Sequence, residues 1–204
     1  AATKYKQNVE AIRTMRQILM EGRRATVEEQ ETMALYAGFG GIKQLFSAAG
    51  DYSMDYKTRQ QWFDRQKELK ELIGEEAYKA ASKSTMNAHY TDPRIVKTMW
   101  DIVRRLGFER GRALEPSMGS GNFLGLVPTD LREKTTFTGV ELDNTTGEIA
   151  RLLYPDANIS IQGFEDLKAP DNFFDLAIGN VPFGDYRISD NRYNKLLPDR
   201  KSVV

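Results

Sequence analysis

The sequence has 204 residues, which is enough for one sizeable domain with a helical extension. Its 29 basic and 29 acidic side chains balance, so a net-basic surface for nucleic acid is excluded, while a local basic patch is not. The absence of cysteine and the single histidine exclude disulfides, a cysteine nucleophile and multi-histidine metal sites, and we predict no metal. Since the sequence shows neither an apolar run near the roughly 20 residues of a membrane span nor a signal peptide, we expect a cytoplasmic protein.

Residues 1–88 have the pattern of helices on a charged background. Thr26 and Glu29 have the spacing of a capping box, and we expect the glycines from Gly38 onward to end the helix that follows. Apolar residues recur at helical spacing within 5–22 and 56–73, where they are Val9, Ile12, Met15, Leu19, Trp62, Leu69, Leu72 and Ile73. This helical N-terminal region is interpreted as a packing scaffold, with a lobe that contacts nucleic acid as the alternative.

From residue 89 the pattern changes to strands that alternate with helices. Asp92 and Pro93 are typical of a helix start, and Gly107 of its end. We expect the apolar face of this helix to consist of Ile95, Met99, Ile102 and Leu106. Strands are predicted at 112–116, 136–142, 158–163 and 173–180, and helices at 121–127 and 144–154. Such alternation predicts an α/β fold with a parallel sheet, in which ligands bind beyond the carboxyl ends of the strands.

The first strand end is followed by the glycine-rich turn 115-EPSMGSGNF-123. A turn of this kind lets a ligand approach the backbone closely, although many such turns are glycine-rich only for packing. A dinucleotide fingerprint is disfavoured because Leu124 stands where its third glycine would be. Glu115 would repel a phosphate, but it can pair with an amino group or a sulfonium.

The second and third strand ends also carry acids. Glu141 lies 20 residues beyond Gly121, a position suited to accepting hydrogen bonds from both hydroxyls of a ribose. Phe164 and Glu165 follow the third strand and are suited to flanking an adenine ring. The alternative for Glu141 is a solvated carboxylate at a strand end, and the alternative for Phe164 and Glu165 is an ordinary polar connection.

The fourth strand end carries the tetrapeptide Asn180-Val181-Pro182-Phe183. Asn180 follows an apolar run, so its amide is expected at the rim of the sheet. Pro182 lacks an N–H and holds Val181 extended, which gives the Val181 carbonyl a fixed direction. The alternative is a turn that ends the strand and buries Phe183.

In this order, the four strand ends resemble S-adenosylmethionine-dependent methyltransferases. More narrowly, they resemble adenine-N6 DNA methyltransferases, whose signatures are a D/E-P-x-x-G-S-G-x-F turn and an [N/D/S]-P-P-[Y/F/W] tetrapeptide. The segment 89–96 resembles the one that precedes the glycine motif, and 25–41 resembles the N-terminal part of helicase-associated adenine methylases of bacterial mobile elements. The sequence departs from the pattern at Val181, where the family usually has proline, and at Phe164, where it often has an acid.

The resemblance implies S-adenosylmethionine as the cofactor and DNA, with an adenine flipped out of the helix, as the partner. The residues that it assigns to the cofactor are Thr91, Glu115, Pro116, Gly119, Gly121, Phe123, Glu141, Leu142, Phe164 and Glu165. The side-chain oxygen of Asn180 and the carbonyl of Val181 would accept hydrogen bonds from the reacting amine. Phe183 would stack on the ring that carries this amine, and Pro182 connects Val181 to Phe183.

The resemblance also implies a Rossmann-like methyltransferase sheet of order 3-2-1-4. Because that family has seven strands and the sequence predicts four, we expect a truncated sheet in domain 89–204. The fourth strand would be an edge, where a further region of a larger polypeptide or a second chain can pair. Two alternatives stay open: a methyltransferase acting on RNA or on a protein glutamine, and a non-catalytic or regulatory module that keeps the fold.

Overall fold

The computed structural model of the protein describes residues 1–47, 53–84 and 91–181. The chain divides into two compact units, Ala1–His89 and Tyr90–Val204. No helix within the described ranges combines the length and apolarity needed to cross a membrane.

The described part of the first unit is helical. Its helices are α1 (Ala2–Glu21), α2 (Val27–Ala34), α3 (Gln44–Ser47), α4 (Tyr56–Ile73) and α5 (Glu75–Ser84). The predicted capping box is confirmed, because the Thr26 side chain accepts from the Glu29 N–H and the Glu29 carboxylate accepts from the Thr26 N–H at 2.8 Å. The predicted end of this helix is wrong: α2 stops at Ala34, before the first of the glycines.

A buried asparagine fixes the glycine-containing segment of this unit to α1. Asn8 is fully buried, donates to the Gly38 carbonyl at 2.5 Å and accepts from the Ala37 N–H at 3.0 Å. Of the predicted apolar face of α1, Leu19 is 46% exposed, and Ile18 takes its place in the core. The periodicity therefore identified the helix, but it misplaced the end of the buried stripe by one residue.

The second unit contains a parallel sheet in which the strand order is β3-β2-β1-β4. Its strands are β1 (Gly111–Glu115), β2 (Thr135–Glu141), β3 (Asn158–Ile161) and β4 (Leu176–Ala177). Its helices are α6 (Pro93–Arg105), α7 (Asn122–Gly125), α8 (Thr129–Arg132) and α9 (Asn144–Leu153), and a 3-10 turn spans Phe164–Asp166. The predicted α/β fold class, a Rossmann-like sheet of order 3-2-1-4 with a helical N-terminal region, is confirmed.

Two of the predicted elements are much shorter in the structure. The helix predicted over 121–127 is the four-residue α7, and the strand predicted over 173–180 spans only Leu176–Ala177. Backbone hydrogen bonds extend the contact with β1 by one residue on each side, because the Asp175 N–H donates to the Arg112 carbonyl and the Ile178 N–H donates to the Leu114 carbonyl, both at 2.9 Å.

The predicted buried face of α6 is wrong. Asp92 caps the helix and Pro93 is at its first position, as expected, but the buried residues are Val96 and Trp100. The residues predicted for the core, apart from half-buried Met99, are exposed: Ile95 by 54%, Ile102 by 49% and Leu106 by 82%. The core selects the face that carries Trp100, because its indole N–H donates to the Phe123 carbonyl at 3.0 Å and joins α6 to the glycine turn.

Candidate functional site

The carboxyl ends of β1, β2 and β4 bring three polar residues to one edge of the sheet. Glu115, the last residue of β1, is in register with Gly139 of β2, two residues before Glu141. On the other side, a Cβ atom on Gly179 would lie 3.5 Å from Cγ of Glu115. Asn180 follows directly, so Glu115 lies between the ends of the two neighbouring strands.

The turn after β1 is held by backbone hydrogen bonds in a conformation that requires glycine. The Met118 N–H donates to the Val140 carbonyl of β2 at 3.0 Å, and the Gly121 N–H donates to the Met118 carbonyl at 2.9 Å. Gly119 and Gly121 have φ angles of 56° and 85°, which L side chains rarely adopt. The turn therefore presents backbone, with no Cβ atom at these two positions.

Tyr154, at the end of α9, packs against this turn and was missed by the sequence analysis. A Cβ atom on Gly121 would collide with Cε2 of the Tyr154 ring, and a Cβ atom on Gly125 would lie 2.6 Å from its hydroxyl. Burial raises the pKa of Tyr154 to about 12, with the neighbouring Glu115 carboxyl adding to the effect. A tyrosine at a helix end carries no sequence signal for this contact, which the packing of α9 on the sheet creates.

Glu141 links the glycine turn to the start of α9. One of its carboxylate oxygens accepts from the Gly119 N–H and the other from the Asp143 N–H, both at 2.8 Å. Burial raises the pKa of Glu141, and the two N–H groups oppose this increase by stabilising the charge. Because a carboxylate oxygen has two lone pairs, each can still accept one further hydrogen bond from a ligand.

Glu115 is the most unusual group of the site. The residue is 2% exposed, and within the described part of the chain its Oε2 atom has no hydrogen-bond partner. Burial raises the pKa of this carboxyl well above its usual range, and the nearby charge of Glu141 raises it further. A buried polar group without a partner destabilises a protein, so its presence at the carboxyl edge of the sheet makes Glu115 a candidate for pairing with a ligand.

Exposed apolar side chains flank the ends of β2 and β3. Leu142 is 76% exposed directly after Glu141, and Phe164 is 42% exposed in the 3-10 turn after β3. Glu165 turns back toward its own segment, because a Cβ atom on Gly163 would lie 2.5 Å from its Oε1 atom. Leu142 and Phe164 are thus available to cover a ring, whereas the Glu165 carboxylate points toward the backbone.

The remaining predicted cofactor residues lie around the turn. The Thr91 carbonyl accepts from the Asn122 side chain at 3.4 Å, which places the segment before α6 against the turn. Pro116 is half-buried, with its Cδ atom near Gly179, and Phe123 is 2% exposed in the core with Trp100.

Of the predicted catalytic tetrapeptide, the structure describes the first two residues. Asn180 and Val181 are half-buried and follow β4 at the same sheet edge as Glu115. Pro182 and Phe183 lie outside the described residues.

One curated protein is similar in sequence to part of the chain. Over 102 residues, or 49% of this chain, the sequence is 35% identical to the defense against restriction protein B of Escherichia phage P1. The match covers 4% of that protein, so the chain spans a small part of its length. No protein-family model matches the chain.

Two solved structures follow a similar chain course at low sequence identity. The methyltransferase subunit of the type I restriction-modification system of Streptococcus thermophilus is 19% identical, with a TM-score of 0.45 over 92% of this chain and 47% of that one. A Listeria monocytogenes protein, described as a class I S-adenosylmethionine-dependent methyltransferase, is 13% identical, with a TM-score of 0.43 over 96% of this chain and 64% of that one. The similarity concerns the course of the backbone and not an activity.

Proposed function

We propose that the sheet edge formed by β1, β2 and β4 binds S-adenosylmethionine and transfers its methyl group to the N6 amine of an adenine flipped out of DNA. The observation that carries this proposal is the buried Glu115 carboxyl, which lacks a partner for Oε2 and lies beside a glycine turn and the Asn180 strand end. A cationic ligand with an extended part that lies against the backbone of the turn suits this combination better than a phosphate does.

The residues present fit the cofactor at its charged end. A carboxyl group can pair with either of its two positive groups, the amino group or the sulfonium, and Glu115 lacks any competing partner for Oε2. Gly119 and Gly121 leave room for the methionine part to lie against the backbone. The Thr91 carbonyl accepts from the Asn122 side chain, so Thr91 lies close enough to the turn to border the same part.

The residues also fit the nucleoside end. The lone pairs of Glu141 that are not used by the Gly119 and Asp143 N–H groups can accept from the two ribose hydroxyls. Leu142 and Phe164 supply exposed apolar surface for the two faces of the adenine ring. We assign no adenine contact to the Glu165 carboxylate, which lies against Gly163.

The residues at the end of β4 suit an amine as the methyl acceptor. An aromatic amine is a poor nucleophile because its lone pair is delocalised into the ring. Acceptance of its two N–H groups by the Asn180 side-chain oxygen and the Val181 carbonyl favours a pyramidal nitrogen and offsets the positive charge that develops on it. When bound, the cofactor supplies a methyl group activated by the sulfonium, so no strong base is required before attack.

The proposal of adenine in DNA rests on the tetrapeptide and on the phage relative. The name of that relative assigns it to defense against restriction, and methylation of base amines in DNA is chemistry suited to such a task. Flipping a base out of a duplex costs a few kcal/mol. Stacking on Phe183 would return roughly 1–3 kcal/mol of this cost.

Methyl transfer from radiolabelled S-adenosylmethionine tests the proposal. The 204-residue chain is incubated with single-stranded DNA, duplex DNA, RNA of the same sequence and a glutamine-containing protein. We expect label in the DNA as N6-methyladenine, and none in DNA whose adenines are replaced by N6-dimethyladenine. Label in RNA or protein alone would overturn the substrate, and bound cofactor without transfer to any of them would favour a regulatory module. Asn180→Ala, which leaves the cofactor residues intact, is the matched control.

A further inference from the structure

We propose that Glu115 is an uncharged carboxylic acid in the ligand-free protein, and that a cationic ligand binds at the end of β1 by displacing the Glu115 proton to solvent. The proposal rests on the proposed function for the identity of the ligand. It adds a coupling between ligand binding, pH and folding stability.

Among the described residues, burial and the neighbouring Glu141 both act against a negative charge on Glu115. Glu115 is 2% exposed, and Oε2 accepts no hydrogen bond from the described residues. The segment after β4 contributes the uncharged Gly179 and Asn180, while β2 contributes Glu141, an acid of the same sign. Tyr154, which follows α9, is a further titratable neighbour, and with a pKa of about 12 it carries no charge near neutral pH. Among the described residues, the charged group that acts on Glu115 is therefore Glu141, and it disfavours the ionisation of Glu115.

A cation that reaches Oε2 reverses this preference. The Glu115 proton leaves as the positive ligand group takes its place, so the site exchanges one positive charge for another and its net charge stays constant. Burial also holds the pKa of the free carboxyl well above its usual range. Binding below that pKa must therefore release about one proton.

The same geometry makes a prediction for the free protein. Because the folded state keeps the Glu115 proton after the unfolded chain has lost its own near pH 4, the free energy of unfolding falls as the pH rises toward the pKa of the folded state. Glu115→Gln has the same shape and does not titrate. Its stability relative to the wild type should therefore increase as the pH rises above about 4 toward the pKa of Glu115 in the folded state.

Calorimetry in two buffers of different ionisation enthalpy tests the exchange, with S-adenosylmethionine as the cationic probe and methylthioadenosine as the probe without positive charge. The wild-type chain should release about one proton more than Glu115→Gln when S-adenosylmethionine binds, and its Kd should fall about tenfold for each pH unit gained below the free pKa. Subtracting the proton release measured with Glu115→Gln removes the contribution from ionisation of the ligand amine. Methylthioadenosine should release no proton from either chain. Equal proton release by the two chains would overturn the proposal and leave the proposed function intact.

Thermal unfolding of the free chains separates the two ideas if no cofactor binds. Suppose that no cofactor binds, but that the stability difference between Glu115→Gln and wild type grows with pH. This result refutes the proposed function alone and supports a neutral Glu115. A stability difference that does not change with pH refutes the neutral Glu115. Should Glu115→Gln not fold, the same two readings are taken on Glu115→Met, whose side chain has a similar length and does not titrate.

Discussion

The contact between Tyr154 and the glycine turn predicts that Gly121→Ala destabilises the protein more than Gly107→Ala does. Gly121 and Gly107 have similar φ angles, 85° and 92°, so an alanine at either position carries a similar backbone strain of about 1–2 kcal/mol. A Cβ atom on Gly107 meets nothing within 4 Å, whereas one on Gly121 collides with the Tyr154 ring. Overpacking of this kind adds about 1–3 kcal/mol, which gives a total near 2–5 kcal/mol for Gly121→Ala.

Urea unfolding measures the difference between the two variants. The chain has two tryptophans, Trp62 and Trp100, and a Trp62→Phe background leaves Trp100 as the fluorescent reporter of the unit that contains the sheet. Replacing Tyr154 by leucine in the Gly121→Ala background should recover the steric part of the loss and leave the strain. Equal losses for Gly121→Ala and Gly107→Ala would refute the packing of Tyr154 against the turn.

Three further predictions follow from the site and the helical unit. Glu141→Ala should raise the Kd for S-adenosylmethionine by tenfold or more. It should also cost about 1–3 kcal/mol of stability, because it leaves the Gly119 and Asp143 N–H groups without acceptors. Unchanged affinity in calorimetry would exclude its ribose role. Asn180→Ala should abolish methyl transfer while the cofactor Kd changes less than threefold, or about 0.6 kcal/mol, and wild-type turnover in the labelled assay would show that Asn180 is not an acceptor. Asn8→Ala should lower the free energy of unfolding of the helical unit by about 1–3 kcal/mol by removing two buried hydrogen bonds, while a neutral effect in urea unfolding would contradict their importance.

The order of the strands could be predicted because the groups at the strand ends carry a family resemblance, and the resemblance implies that order. Glycine turns, acids and the Asn180 tetrapeptide stand at fixed positions after apolar runs, and the parallel sheet brings these positions to one edge. Local capping was also predictable, since Thr26 and Asp92 act through backbone N–H groups two or three residues away.

The failures share a physical cause. The periodicity of α6 allows two neighbouring apolar faces, and only the tertiary contact of Trp100 with the Phe123 carbonyl decides which of them is buried. Likewise, the extent of β4 depends on how far β1 runs beside it, and an apolar run such as 173–180 does not record that length. Tyr154 and the orphan Oε2 of Glu115 are products of packing between distant segments, so a single sequence gives no sign of either.

The central claim is that the carboxyl edge of β1, β2 and β4 is a binding site for S-adenosylmethionine. Amide chemical-shift mapping of the 204-residue chain, titrated with S-adenosylmethionine, tests it most directly. The account predicts saturable shifts concentrated at Gly119, Gly121, Leu142 and Asn180, with much weaker shifts in Glu141→Ala. A folded chain whose spectrum does not change, or whose shifts gather away from this edge, would contradict it.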